Sequence, residues 1–277
     1  MSFLKNIVKY MFILLALAVG AVIIMGAIMF FAPNVSILGY RYINVNQKIA
    51  TLLHSNPNLN SYVENIDKVV SIEVNAENVN VTVCPRMIRM ADTGYFYVES
   101  LIQGNGFCKI DNLTQSIEDL YYVKIEDLVD LNDGTYKLVI NNKTADGIVN
   151  LTHHYLNVHI PRDIATHLKD LTVKTKAGSI KISMDDTNDH NINDTVIGVE
   201  GNTILESVSG SINVNALNVH NLNVKSVSGD MTFTKDLKDI SGSTTIKGIT
   251  KLENDSGHIT FENGVNLSSV QIKSGIS

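Results

Sequence analysis

The side chains in this chain that could form covalent bonds or bind metal ions are two cysteines, eight histidines and a run of aspartates. Cys84 and Cys108 each lie near the end of a predicted strand, so a hairpin could bring their thiols together. In an oxidising compartment the pair would form a disulfide, which would stabilise the fold by roughly 3 kcal/mol. In the cytosol the two thiols would stay reduced and buried. The number of cysteines leaves both alternatives open.

The densest group of histidines consists of His153, His154 and His159. Adjacent residues of a strand point to opposite faces, so His153 and His154 cannot ligate one metal ion from a regular strand. His154 and His159 are an odd number of positions apart, so they also point to opposite faces of a regular strand. We therefore interpret all three as surface histidines.

Four aspartates, Asp185, Asp186, Asp189 and Asp194, would offer the oxygen ligands that Ca²⁺ prefers. Their spacing does not match an EF-hand loop, and the segment lacks the glycine of that loop. It also has no apolar periodicity, which is typical of a solvated loop. The sequence therefore predicts no metal site.

The chain carries no sequence motif of catalysis or cofactor binding: no Gly-x-Ser-x-Gly elbow, phosphate loop, dinucleotide fingerprint or zinc motif. A sugar-cleaving β-helix would need paired carboxylates on one flank. The outward positions of the predicted strands are instead chiefly Ser, Thr, Asn and Lys, and there is no Trp to stack on a sugar. We expect a protein that is not an enzyme and binds no cofactor.

The strands that must position these side chains belong to a repeat. A small residue, Gly, a polar residue and an alternating apolar pair recur at residues 177–182, 209–214, 228–233 and 256–261, with a looser copy at 241–246. This near-fixed period predicts an all-β fold, a single-strand β-solenoid or β-helix-like roll, in which each coil buries its apolar face against its neighbours.

Glycine marks each copy of the repeat. Two of the spacings are 19 residues, from Gly210 to Gly229, and 18 residues, from Gly257 to Gly275. The insertion after Gly178 contains the aspartates and lengthens one coil. We expect these five structural glycines at corners of the coil that require a positive φ.

Alternation within the repeat predicts which side chains face inward. Ile212 and Val214 form one inward pair, and Leu222 and Val224 form another. The apolar residues just before residue 220 are out of phase with the second pair. We therefore expect a corner near residues 220–221.

Residues 10–32 form an uncharged apolar run. As a helix the run would be about 35 Å long, enough to cross a bilayer. It is longer than the apolar region of a signal peptide and is not followed by a small-x-small cleavage site, which favours an uncleaved anchor. Lys5 and Lys9 precede it, so we expect the N-terminus inside the cell and the body outside. Gly20 and Gly26 could form a helix–helix contact face.

The sequence divides into an N-terminal tip and anchor at residues 1–33, a membrane-proximal stalk at 34–66 and a β-domain at 67–277. The stalk is predicted to contain a helix over residues 47–54. Strands of the β-domain are predicted at residues 70–74, 79–83, 95–98, 121–125, 136–140 and 155–160. Pro161 is expected to end the last of these.

The formal net charge is −6, and no basic stripe interrupts this acidic balance. Such a surface is unsuited to nucleic acid or to anionic lipid head groups. We therefore expect the partners of the chain to be the membrane and other proteins.

A family resemblance follows from the order of these motifs. The chain resembles the putative-adhesin family in the order of four features: a strand ending in Ile160-Pro161, a short spacer, Leu171-x-Val173-x-Thr175 and then the glycine repeats. This is a β-strand-repeat domain of unknown function on bacterial and archaeal surfaces. The resemblance covers about residues 67–277. It implies the fold and a surface location, and it supplies no catalytic residues.

The sequence as a whole predicts a single-pass membrane protein that displays a β-solenoid outside the cell as an adhesion or envelope interaction module. One alternative is a membrane-tethered, polymerising scaffold on the cytoplasmic side, as in bactofilin-like proteins. Another is a regulatory or sensor protein of envelope stress. Residues 269–277 continue the repeat without a polar cap, so this solenoid edge is expected to self-associate or bind a protein partner.

Overall fold

The computed structural model of the chain describes residues 2–32, 35–85, 95–111, 115–183, 196–215, 217–234, 244–262 and 264–275. The chain divides into two compact units. Unit 1 comprises Met1–Asn46, Gln103–Leu120 and Ala145–Thr152. Unit 2 comprises Gln47–Ile102, Tyr121–Thr144 and His153–Ser277. Three long strands contribute residues to both units, and each unit is described by itself.

Unit 1 begins with the apolar helix α1 (Ser2–Phe31), of which Ile7–Phe31 is long and apolar enough to cross a membrane. After it, β1 (Ser36–Ile37) pairs antiparallel with the start of β2 (Tyr40–Leu53). The unit also contains the end of β5 (Phe96–Lys109), the short helix α2 (Ile117–Leu120) and the start of β9 (Gly147–Ile160). Its strands lie in the order β1-β2-β5-β9.

The predicted helix over residues 47–54 is wrong, because this segment belongs to β2 except for its last residue. Ile43 and Val45 are buried, whereas Asn44 and Asn46 are exposed. This period-2 alternation begins before the predicted helix and carries the strand through it. The helix-forming side chains of residues 47–54 are outweighed by pairing along the whole strand.

Unit 2 contains two sheets. In the first, β6 (Tyr122–Ile125) lies at one edge, followed by β8 (Tyr136–Lys143), β3 (Val69–Ala76), β10 (Asp170–Thr175), β12 (Ile197–Ser207), β14 (Leu217–Ser226), β16 (Thr245–Asn254) and β18 (Asn266–Ser274). All neighbours from β8 to β18 are parallel. Among the described strands of this sheet, β6 and the short β7 (Val129–Asp130) pair antiparallel, both with β8.

The second sheet of unit 2 continues from the end of β9 through β4 (Asn80–Pro85), β11 (Ile180–Ile182), β13 (Ile212–Asn215), β15 (Met231–Thr234) and β17 (Ile259–Phe261). These neighbours are also parallel. A 3-10 turn (Ile66–Lys68) precedes β3, and the short helix α3 (Arg162–Ala165) follows β9 directly after Pro161. The chain is therefore mostly β with one N-terminal apolar helix.

The predicted inward side chains form the core of the repeat. Ile212, Val214, Leu222 and Val224 are all fully buried, whereas Asn223 between the last two is exposed. Burying each aliphatic side chain contributes about 1.5–3 kcal/mol. β14 runs continuously through residues 220–221, and its register with β12 and with β16 shifts there by one residue, so the predicted corner is a bulge between neighbouring strands.

Candidate functional site

The repeat glycines form a column in which successive backbones nearly touch. A Cβ on Gly210 would lie 1.9 Å from Gly178 O, and one on Gly229 would lie 2.0 Å from Gly210 O. A Cβ on Gly257 would lie 2.2 Å from Gly229 O. None of these four glycines has a positive φ, so the predicted reason for glycine is wrong. Glycine is needed because stacked backbones leave no room for a side chain.

Gly275 lies outside this column. Ser274 pairs with Asn254, and a Cβ on Gly275 would meet Asp255 O at 2.7 Å. Gly275 therefore stacks on Asp255 and lies two positions away from the register of Gly257. The sequence spacing of 18 residues placed it in the wrong column.

A column of polar side chains lies three residues before the glycines and was missed in the sequence. Each glycine N–H of the column donates to the side-chain oxygen three residues earlier. The four bonds are Gly178 to Thr175 at 3.1 Å, Gly210 to Ser207 at 2.8 Å, Gly229 to Ser226 at 2.9 Å and Gly257 to Asn254 at 2.9 Å. Ser207 Oγ also donates to Gly178 O of the preceding coil at 3.2 Å, and Asn254 Nδ2 donates to Gly229 O at 3.2 Å. The spacing Ser/Thr/Asn-x-x-Gly was a readable signal. These hydrogen bonds satisfy buried polar groups, so the column is structural.

A second column, on the outer face, alternates in charge. Lys174 Nζ lies 3.1 Å from Glu206 Oε2, and Lys225 Nζ lies 3.6 Å from Glu253 Oε2. Glu206 pairs in register with Lys225, and Glu253 pairs with Lys273 on the edge strand β18. Opposite charges on neighbouring strands favour this register.

The last strand of each sheet carries residues that are more exposed than the residues they pair with on the preceding strand. Ile272 on β18 pairs in register with Leu252, yet Ile272 is 56% exposed and Leu252 is fully buried. Val270 on the same strand is 39% exposed. On the other sheet the ring of Phe261 on β17 stacks on Phe233 at 5.0 Å and is only half-buried. We call the set of β17 and β18 the terminal edge. It offers apolar side chains, and no other strand in the described part of the chain pairs with its outer side.

Both predicted cysteines are buried, and each thiol has a polar neighbour. Cys84, in unit 2, has its Sγ 3.3 Å from His159 Nδ1. Cys108, in unit 1, donates from Sγ to Lys109 O at 3.2 Å. The disulfide between them stays a prediction.

Of the predicted surface histidines, His153 is exposed, whereas His154 and His159 are half-buried. Besides its contact with Cys84, the His159 ring lies 5.4 Å from that of Tyr97. Asp185, Asp186, Asp189 and Asp194 lie outside the described residues. Within the described part of the chain, no group of three or more His, Cys, Asp or Glu side chains could hold a metal ion.

An open cavity of about 680 Å³ lies on the outer face of unit 2. Its described lining includes four basic side chains and one carboxylate, namely Arg162, His167, His220, Lys247 and Glu200. His167 Nδ1 lies 3.7 Å from Glu200 Oε1. Of the groups that carry a fixed charge, Arg162 and Lys247 outnumber Glu200, so the lining has a small excess of positive charge.

Among the carboxylates whose pKa is lowered by local hydrogen bonds, Glu73 and Asp230 accept them from a neighbouring strand or coil. Lys137 Nζ donates to Glu73 Oε2 at 2.7 Å and Asn75 Nδ2 donates to Glu73 Oε1 at 3.0 Å, which together lower the pKa of Glu73. The backbone N–H of His258 donates to Asp230 Oδ1 at 2.8 Å and lowers the pKa of Asp230. Both groups bridge neighbouring coils, so their chemistry is that of strand pairing.

The fold and these surfaces define a mostly β repeat protein with an apolar N-terminal helix and with exposed apolar side chains on the last described strand of the first sheet. The chain belongs to the Toastrack DUF4097 family, whose model matches residues 111–275. This confirms the resemblance to a β-strand-repeat family of unknown function. The family is not a known enzyme family.

A solved structure, of a putative cell adhesion protein from Clostridium sporogenes, is also similar. The similarity covers 83% of this chain and 100% of that chain, at 11% sequence identity and a TM-score of 0.37. No curated protein matches the chain.

Proposed function

We propose that this protein is a membrane-anchored surface β-solenoid that acts as a non-catalytic adhesion or envelope interaction module. The observation that carries the proposal is the terminal edge, where a stack of parallel strands ends in exposed apolar side chains. Such an edge is suited to adding a strand from another protein. The α1 helix would hold the module at the membrane.

The solenoid form is supported by the order in which the chain visits the two sheets of unit 2. From β10 to β18 successive strands alternate between the first and the second sheet. Each coil thus contributes one strand to each sheet, and the glycine column lies between the two strands. Alternation of this kind is expected when a chain winds in coils that contact only their neighbours.

The orientation rests on the positive charges before the helix. Lys5 and Lys9 precede the apolar segment, and loops rich in Lys or Arg usually stay in the cytoplasm. The β-domain would then lie outside the cell. In that oxidising setting Cys84 and Cys108 should be bonded to each other. Non-reducing peptide mapping of protein taken from its native membrane should recover this pair, and two alkylatable thiols would contradict it.

Protease treatment of intact cells tests the location directly. A chain with an N-terminal epitope tag should lose its β-domain to external protease and keep a short tagged fragment. Protection until the cells are lysed would place the β-domain in the cytoplasm. That result would overturn the surface module and favour the polymerising scaffold, because the same terminal edge could join copies beside the membrane.

A further inference from the structure

The end of α1 is packed against aromatic side chains from the strands of unit 1. The rings of Phe30 and Tyr42 are 5.0 Å apart, and those of Tyr42 and Phe107 are 5.4 Å apart. Phe107 Cζ lies 3.9 Å from the position that a Cβ on Gly26 would take. Gly26, a predicted helix–helix contact, therefore lies beside a ring of its own chain. Phe107 therefore contacts the helix about 7.5 Å along its axis from its last residue, at a rise of about 1.5 Å per residue.

Large apolar side chains that follow the end of α1 in the sequence are exposed. Phe31 is 83% exposed and Leu38 is 82% exposed, and both Val35 and Tyr40 are exposed as well. Leu38 is at the tip of the β1–β2 hairpin, which begins five residues after α1 ends. Exposed large apolar side chains grouped within residues 31–40 are typical of an interaction site.

The turn at the tip has an unfavourable side chain for its backbone. Leu38 has φ 54° and Gly39 has φ 78°, as in a two-residue turn of type I′. Asn or Gly is preferred at the first of these positions, because a bulky side chain there costs about 1–2 kcal/mol. The chain keeps leucine despite this cost, and such an outlier points to a functional constraint.

We propose that the β1–β2 turn is seated in the interfacial layer of the lipid bilayer, together with Tyr42 and Phe107. The inference rests on the proposed membrane span of α1, since the hairpin begins five residues after the end of that helix. Aromatic side chains are enriched at this depth, and apolar side chains there lie at the boundary of head groups and acyl chains. The backbone is paired as this layer requires: Ser36 pairs with Arg41, and Ile110 N–H donates to Gly39 O at 2.9 Å. The proposed contact with the lipid is made by apolar side chains. It therefore needs no attraction to anionic head groups, for which the acidic charge of the chain is unsuited.

The absence of tryptophan from the sequence allows a direct test. The full chain with Leu38→Trp is reconstituted in phosphatidylcholine vesicles whose acyl chains are brominated either near the ester end or near the bilayer centre. The variant should lose most of its emission to the shallow bromines and little to the deep ones. Tyr40→Trp is a second reporter in the same turn, should the first fail to fold.

Two further single-tryptophan variants calibrate the experiment. Val19→Trp, in the middle of α1, should be quenched mainly by the deep bromines. Val208→Trp replaces a 53% exposed valine of unit 2 and should be quenched by aqueous iodide, as an exposed indole is. Iodide should leave the emission of Leu38→Trp largely unchanged.

The outcomes separate the interfacial turn from the membrane span. If Val19→Trp is quenched by lipid and both turn reporters respond only to iodide, the span stands and the interfacial turn is wrong. If lipid quenches none of the variants, the span itself fails and the interfacial turn fails with it. Turn reporters that are shielded from iodide and from both brominated lipids are covered by protein, which also overturns the proposal.

Discussion

At the scale of single residues, the repeat works through backbone contacts that a side chain would block. Each glycine of the column faces a carbonyl of the preceding coil, and its N–H is bound by a side-chain oxygen three residues earlier. The two columns therefore act together: one lets the coils approach, and the other satisfies the polar groups that become buried.

We expect Gly229→Ala to destabilise the fold strongly. The new methyl group would lie 2.0 Å from Gly210 O, so two coils would have to separate, and overpacking of this kind costs about 1–3 kcal/mol or more. Thermal unfolding of the full chain in detergent should show a fall in Tm of several degrees. Ser228→Ala, at the exposed neighbouring position, should change stability by at most about 0.5 kcal/mol. Equal effects would contradict the close stacking.

Ser226→Ala tests the polar column. The change removes the acceptor of the Gly229 N–H bond, 2.9 Å long, and leaves that N–H buried. An unsatisfied buried donor costs about 1–3 kcal/mol. Ser226→Thr keeps the hydroxyl, and Thr175 occupies the same column, so this variant should retain most of the stability. A Thr variant as unstable as the Ala variant would show that shape, and not the hydrogen bond, matters at this position.

At the scale of elements, neighbouring strands are also linked by charge. Glu73 on β3 accepts from Lys137 on β8, and both side chains are about 30% exposed. The pKa of Glu73 is lowered in the folded chain from an ordinary value of 4.5. Its ionised form therefore stabilises the fold above that pH, and the contribution is lost as pH falls through the lowered pKa.

Glu73→Gln should reveal this dependence. The variant should be less stable than the unmodified chain at neutral pH, by about 1 kcal/mol or less, because the pair is partly screened by solvent. The difference should shrink as the pH falls below 4.5, since the carboxyl of the unmodified chain then becomes neutral as well. Tm measured across this range checks the prediction. A difference that grows on acidification has the wrong sign and would contradict the lowered pKa.

At the scale of the whole molecule, the terminal edge is the surface through which we expect unit 2 to self-associate or to bind a protein partner. At the opposite edge of the first sheet, β6 pairs antiparallel with β8. Lys124 on β6 forms an ion pair with Glu126, which directly follows the strand. Charged side chains on edge strands oppose further pairing. β18 has a single charged residue, Lys273, and no proline, so it lacks this protection.

Ile272→Lys should weaken self-association through the terminal edge. A second charge on β18 would have to be desolvated when another strand pairs there, whereas the exposed Ile272 contributes little to the fold itself. Light scattering of the full chain in detergent should show a lower mass for this variant at high micromolar concentration. Val208→Lys changes an equally exposed valine away from the edge and should keep the mass of the unmodified chain. If the unmodified chain is itself monomeric under these conditions, self-association is wrong and a different protein remains as the partner.

The sequence by itself determined the features that depend on local periodicity. Alternation identified the inward pairs such as Leu222 and Val224, an uncharged run identified α1, and Pro161 marked the end of β9. Each of these follows from residues within one element, where side-chain direction depends only on backbone geometry.

Only the tertiary structure decided which residues of different coils meet. It showed that the repeat glycines are required by backbone stacking, that Gly275 stacks on Asp255, and that β2 extends through the predicted helix. It also brought Phe107 against Gly26, 81 positions earlier in the chain. Such contacts depend on the pairing register between strands that are distant in the sequence, and alternation within one strand does not specify that register.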